Sequence, residues 1–183
     1  MTERPAFTHH DAAGALTVAE SVIAPLYEAT HTDVLRNPFY STQRFLERLA
    51  GYTKRNGFEL VIAHHQDQPI GLSFGQPLPA DTRWWDGLRT PVPAELTTEN
   101  GARTFALNEL MVHPDWQRRG IAKTLHDELL THRPEQRATL LVRADNTAAR
   151  TAYHHWGWQP IGKLQPYPDA PVYDALVLDL TST

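Results

Sequence analysis

A chain of 183 residues with a formal net charge of −4 and no cysteine has the size of a single domain, 1–183, with room for a substantial core. The missing cysteine excludes disulfides, thiolate metal sites and a cysteine nucleophile. The acidic balance argues against a general binder of nucleic-acid backbone, although one local basic patch still suffices for a small anion.

No basic-then-apolar leader opens the chain, and no apolar run approaches the ~18 residues that a bilayer span needs. A cytoplasmic protein with no membrane partner is therefore expected. Leu16, Ala19, Ile23 and Leu26 recur at helical spacing over 12–29, with Pro25 expected to kink or divide the helix. A second helix is expected over 42–55, with Phe45, Leu46 and Leu49 on its apolar face and Asn56-Gly57 as its stop. Residues 58–65 read as a buried strand and 70–75 as its hairpin return. Residues 76–103 break the rhythm with Pro77, Pro79, Pro91, Pro93 and the pair Trp84-Trp85, so they read as a long irregular insertion. Strand 104–112 follows, then a turn at 113–117 and a helix over 119–132 that buries Ile121, Leu125 and Leu129. Strand 138–142, helix 146–156 entered through Asn146, and strands 158–164 and 172–180 complete the chain. This alternation predicts an α/β fold, a mixed central sheet flanked by helices.

The join between strand 104–112 and its helix reads Gln117-Arg118-Arg119-Gly120-Ile121-Ala122-Lys123. A helix N-terminus presents backbone N–H groups without internal partners, and the macrodipole adds partial positive charge. Gly120 has no Cβ to hold a phosphate away from its amide, and Arg118, Arg119 and Lys123 add fixed charge. Such a turn can cradle a pyrophosphate. It is neither a P-loop nor a dinucleotide fingerprint, because GxxxxGK[ST] and GxGxxG are both missing. The plain alternative is a turn whose arginines are solvated.

A strand, a [Q/R]xxGx[G/A] turn and an amphipathic helix together resemble the acetyl-CoA-binding motif of the GNAT superfamily of N-acetyltransferases. Downstream, `NTAARTAY` with Asn146, Ala149 and Tyr153, followed by `GWQPIGK`, is similar to the family's NxxAxxxY…GF pattern, with Trp158 in place of the usual phenylalanine. The match covers about 105–163, the expected cofactor-binding core. Before it, only the order of elements agrees.

The resemblance implies a GNAT-like (acyl-CoA N-acyltransferase) fold, acetyl-CoA as acyl donor and a primary amine as acceptor. It implies that the strand before the cofactor turn splays from its neighbour. Main-chain groups of Met111 and Val112 would pair with the pantetheine arm, and an N–H there, that of Val112, would face the thioester oxygen. The amides of Arg118–Lys123 would hold the pyrophosphate, and Asn146 would touch the cofactor as well as cap its helix. Tyr153 becomes the candidate general acid: a phenol, of reference pKa about 10, is neutral at working pH and can donate to a departing thiolate. Glu109 is the candidate base, directly or through water. Several members carry an acid further upstream on this strand, where this sequence reads Thr104-Phe105-Ala106-Leu107, so Glu109 has binding of the acceptor ammonium or pairing with an arginine as alternative roles.

Trp84 and Trp85 suit either a lid over the acceptor, where tryptophan offers a flat wall for cations, or packing of the insertion or a homodimer contact. Asp81, Asp86, Glu95 and Glu99 near them could attract an ammonium. The histidine pairs at 9–10, 64–65 and 154–155 fit no dense ligand spacing, and strand neighbours face opposite ways, so no metal is expected. The reading is N-acetylation of an amine, of a small molecule in the first instance, through a ternary complex. The alternatives are a non-catalytic acyl-CoA sensor or scaffold, and an acetyltransferase acting on protein or tRNA-linked amines. The acidic balance counts against a nucleic-acid partner.

Overall fold

The computed structural model describes residues 4–181. Its strands form a seven-stranded sheet in the order β1-β2-β3-β4-β5-β7-β6, built from β1 (Ala6–His10), β2 (Glu59–His65), β3 (Gln68–Pro77), β4 (Thr104–Val112), β5 (Arg137–Arg143), β6 (Gln159–Leu164) and β7 (Tyr173–Asp179). β4 runs parallel to β5, while β1 and β2, β2 and β3, β5 and β7, and β6 and β7 pair antiparallel. The mixed α/β architecture expected from the alternation of elements is thus present. The residues group into two compact units, Met1–Gln76 with Leu107–His132 and Pro77–Ala106 with Arg133–Thr183. β4 passes from the second to the first at Ala106.

In the first unit the expected helix over 12–29 is divided. It consists of α1 (Ala12–Thr17), a π-helical segment (Ala19–Ile23) and α2 (Ala24–Thr30). Asp11 caps α1 by accepting from the Gly14 N–H at 2.9 Å. Pro25 falls in the first turn of α2, where its missing N–H costs no internal bond. Just before it, the Ile23 N–H reaches back to the Val18 carbonyl at 3.1 Å, the wider π step. α3 (Thr42–Tyr52) starts on the Ser41 cap. These helices bury Ala15, Ile23, Leu26, Tyr27, Phe45 and Leu49 against Leu60 and Ile62 of β2, Leu72 and Phe74 of β3, and Met111 of β4. β1 has no counterpart among the expected elements. Its sequence, AFTHH, lacks apolar alternation, and only the ladder with β2 makes it a strand.

β4 carries one residue more than β3 along their shared length. The Leu78 N–H donates to Thr104 O and the His113 N–H to Ile70 O. From Ile70 to Leu78 is eight residues, while from Thr104 to His113 is nine, so β4 bulges between them. Within that stretch the carbonyl of Glu109 accepts from the Ser73 hydroxyl at 3.0 Å. Gly71 of β3 is required near here, since a Cβ on it would stand 2.9 Å from Met111 O.

In the second unit the segment read as an irregular insertion is fastened down. It contains a short helix, α4 (Ala94–Thr97), and a stretch that runs beside β6. Gln165 N–H donates to Gly87 O (2.9 Å), Arg89 N–H to Lys163 O (2.8 Å) and Lys163 N–H to the Thr90 hydroxyl (2.9 Å). Gly87 permits this approach, for a Cβ there would lie 1.9 Å from Gln165 O. Trp85 is buried with Leu78, Ala106, Leu164 and Ala175. Its indole N–H donates to Glu99 Oε1 at 3.0 Å. α6 (Thr147–His155) enters through Asn146, as expected, with the Asn146 side chain accepting from the Ala149 N–H at 3.1 Å.

Candidate functional site

The turn after β4 has the form that an anion cradle needs. Helix α5 (Ile121–Leu130) begins after Gly120, whose φ of +79° lies in the left-handed region, and no side chain caps that end. Arg118 is also left-handed, at φ +62°, a conformation a non-glycine residue rarely adopts. Left-handed residues of this kind turn successive backbone N–H groups toward one concavity. A Cβ on Gly120 would meet nothing within 4 Å, so the space over its amide is open. Around this turn the side chains serve as braces. Gln117 Nε2 donates to Val112 O (3.1 Å), and Arg119 donates to Asp115 O (3.1 Å) with its guanidinium 4.8 Å above the Trp116 ring. His113 accepts from the Asp115 N–H at 3.3 Å. Lys123 pairs with Asp127 at 2.6 Å across one turn of α5. The turn thus presents main-chain donors, with Arg119 committed to holding its shape.

Gly120→Ala tests this cradle. A methyl at a left-handed position costs roughly 1 kcal/mol of stability, and it also stands where an anion must approach. The expected outcome is a small fall in Tm with acetyl-CoA affinity weakened by about tenfold or more, read by titration calorimetry; an unchanged Kd would remove Gly120 from the site.

Main-chain positions at the end of β4 come with the turn. The parallel register of β4 with β5 covers only Thr104–Ala106 against Arg137–Thr139, although β4 continues to Val112. The side chains of Met111 and Val112 are buried, and the Met111 sulfur accepts from the Thr30 hydroxyl at 3.4 Å. What these two positions can offer a ligand is their backbone.

Glu109 lies on β4 in a setting that the sequence does not announce. Its carboxylate Oε1 stands 4.0 Å from His31 Nε2, with the two side chains only 18% and 23% exposed. Burial pushes the Glu109 carboxyl above the ordinary glutamate range, and the nearby charges of His31 and Arg48 oppose that shift without cancelling it. Tyr27 is pushed up as well, chiefly by burial and then by the Glu109 charge; its hydroxyl donates to Tyr40 O at 2.9 Å. A carboxyl with a raised pKa is a better base than an exposed one near neutral pH. His31, Tyr27 and Arg48 are functional candidates that sequence reading missed. They lie 61 to 82 residues before Glu109, and no local motif marks them.

Tyr153 of α6 is 8% exposed. Its ring packs edge-on to Trp156 (5.6 Å, 87°) and Trp158 (5.8 Å, 66°). Trp158 is 1% exposed and thus serves to pack the tyrosine. In the insertion, Trp85 is held in the core, whereas Trp84 is partly buried with an indole N–H that has no partner. Glu99, read as a possible attractor of an ammonium, is instead the buried counter-ion of Arg137, at 2.9 Å. Of the histidine pairs, His9 bridges Glu59 (2.7 Å) and Glu128 (3.2 Å), which raises its pKa. Among the described residues no three His, Cys, Asp or Glu side chains come together as a metal site.

Comparison with known proteins bears on the fold. The family profile for the acetyltransferase (GNAT) domain matches residues 94–166. No curated protein matches the sequence. Among solved structures, a GNAT family acetyltransferase from Elizabethkingia anophelis with acetyl-CoA bound is similar at TM-score 0.62 and 11% identity, over 97% of this chain and 99% of that one. The PaiA N-acetyltransferase of Thermoplasma acidophilum, in complex with coenzyme A, gives 0.55 and 12% over 95% and 99%. Ard1 from Thermoplasma volcanium gives 0.64 and 14% over 97% and 99%. At such identities the likeness establishes the fold.

Proposed function

We propose that this chain, which has the GNAT fold and matches the acetyltransferase (GNAT) domain profile over residues 94–166, transfers the acetyl group of acetyl-CoA to the primary amine of a small molecule by direct attack in a ternary complex. The observation that carries this reading is the uncapped start of α5, with open space over the left-handed Gly120. The fit is chemical: main-chain donors and a helix dipole suit a pyrophosphate. Two of the similar proteins have acetyl-CoA or coenzyme A bound. When bound, the thioester supplies an activated acyl carbon.

The residues then divide the work. Amides from Arg118 to Lys123 hold the diphosphate, and the contacts we assign to Asn146 and Ala149, at the start of α6, are with the cofactor. Backbone groups of Met111 and Val112 pair with the pantetheine arm. The Val112 N–H faces the acyl oxygen, where a well-aimed donor is worth about 3 kcal/mol as negative charge develops. Glu109 takes a proton from the acceptor ammonium, and Tyr153 gives one to the departing thiolate. Trp84 is the member of the tryptophan pair we assign to the acceptor wall, because Trp85 is committed to Glu99.

The test is thiol release from acetyl-CoA against a panel of amines, with calorimetric titration of acetyl-CoA alongside. Turnover with a small amine is expected. Tight binding with no turnover on any amine would make the chain an acyl-CoA sensor instead, and turnover only with peptides or charged tRNA would move the acceptor class. Tyr153→Phe keeps the ring packing on Trp156 and Trp158 while removing the acid. It is expected to lower kcat roughly 10²-fold with Tm and acetyl-CoA affinity unchanged; full turnover would assign the thiolate's proton to another donor.

A further inference from the structure

We infer that His31 is a positioning residue for proton removal from the acceptor, acting through Glu109: its Nε2 receives the proton that Glu109 takes from the ammonium. This inference rests on the acetyl-transfer reading of the same site.

The hydrogen bonds fix the tautomer. His31 Nδ1 is 3.0 Å from Tyr27 O, and a carbonyl oxygen can only accept, so Nδ1 carries the hydrogen. The Thr30 hydroxyl, also 3.0 Å from Nδ1, directs its one hydrogen among the Leu26 and Tyr27 carbonyls at 2.9 and 3.1 Å and the Met111 sulfur at 3.4 Å. It too therefore accepts from the ring. In the neutral imidazole Nε2 is then the lone pair, and it is Nε2 that looks toward Glu109 Oε1 at 4.0 Å. That separation is one water or one small side-chain movement from contact.

The ring is also held in plane. His31 stacks on Tyr27 (4.1 Å, 22°), and Tyr27 stacks on Phe45 (3.9 Å, 8°). The Tyr27 hydroxyl is anchored on Tyr40 O. The charged and titratable groups facing Glu109 are His31 and Tyr27 from the α2 segment and Arg48 from α3. Its own neighbours on β4, Asn108 and Leu110, carry no charge. Glu109 is largely but not wholly shielded, its side chain 23% exposed, so a relay beside it speeds the loss of the proton it takes, and the other proton acceptor among these groups is the imidazole.

The step balances. The acceptor ammonium gives one proton to the Glu109 carboxylate, which passes it to His31 Nε2 and is restored; the imidazolium releases it to water. The freed amine nitrogen forms its bond to the acyl carbon as the carbon–sulfur bond breaks. The nitrogen's surplus proton replaces the one Tyr153 gives to the thiolate. One proton is released per turnover.

His31→Asn tests this, because the asparagine amide keeps a donor for Tyr27 O and lacks any counterpart of Nε2. Expected are a roughly 10²-fold fall in kcat, an acidic limb of the pH–rate profile moved to higher pH, and an unchanged KM for acetyl-CoA. Added imidazole should restore part of the rate of His31→Ala. Independently of turnover, carbon NMR of the Glu109 carboxyl in the ligand-free protein should titrate at higher pH in His31→Asn than in the wild type, because a neighbouring cation is lost. An unaltered pH profile together with an unaltered Glu109 titration overturns the inference. A wild-type protein that acetylates no amine overturns the proposed function instead, and the NMR titration then still decides whether the pair is coupled.

Discussion

Glu109→Gln should cripple catalysis and stabilise the protein at the same time. Loss of a general base costs 10²- to 10⁴-fold in rate as a rule, and kcat/KM for the amine is expected to fall by roughly 10²-fold with acetyl-CoA affinity intact. The stability effect follows from the direction of the Glu109 shift. Its pKa is raised in the folded protein, foremost by burial, so the folded state binds more protons than the unfolded one between the ordinary and the raised values. Stability therefore falls as pH rises through that window. Glutamine carries no such penalty. The Tm of Glu109→Gln should exceed that of the wild type at neutral pH, and the difference should close as pH falls to the ordinary carboxylate range. Thermal melts at a series of pH values read this. A lower Tm for the variant at neutral pH would mean that the charge is held by its neighbours, and Glu109 would then be a structural anion. The acidic limb of the wild-type rate profile should lie above the usual glutamate range for the same reason.

Arg137→Met should be the most destabilising of the substitutions considered. Glu99 is 1% exposed and Arg137 12%. Glu99 Oε1 accepts from Arg137 (2.9 Å), the Thr104 hydroxyl (2.8 Å) and the Trp85 indole (3.0 Å). Arg137 Nε donates to the Thr104 hydroxyl (2.8 Å), and its terminal nitrogen also reaches Leu96 O (2.6 Å). Removing the guanidinium leaves a carboxylate buried beside neutral donors alone. Breaking one side of such a pair costs about 3–5 kcal/mol, or roughly 6–20 °C in Tm for a chain of this size. Glu99→Gln in the same background should recover much of the loss, since it removes the stranded charge. The double variant is the control that distinguishes charge burial from lost packing; equal Tm for single and double variants would assign the loss to packing. The network also joins α4 and Trp85 to the start of β4 and β5, which is why the insertion behaves as part of the body.

The division between what could be read early and what could not follows from the range of each interaction. The helix-and-strand alternation after residue 104 rests on local periodicity, and it predicted elements that the fold contains. The turn at Gly120 was equally legible, since its cause is local: a glycine at a left-handed position, before an amphipathic helix, after a strand. The Asn146 cap was readable for the same reason. β1 was not, because five residues with two histidines become a strand only when β2 offers its edge. The π segment before Pro25 was seen only as a kink, since sequence shows that proline must interrupt but not which carbonyl will accept instead.

Composition and local pattern determined an α/β chain without thiols, with a basic, glycine-bearing turn ahead of α5 and a tyrosine one helix later. Tertiary structure alone decided that Trp85 and Glu99 are interior and that the insertion is pinned along β6. It also decided that Glu109 meets His31, Tyr27 and Arg48 in one shielded cluster. Local signals fix backbone geometry because their partners lie within a turn or two. A buried charge takes its chemistry from neighbours that only the folded chain brings within a few ångströms.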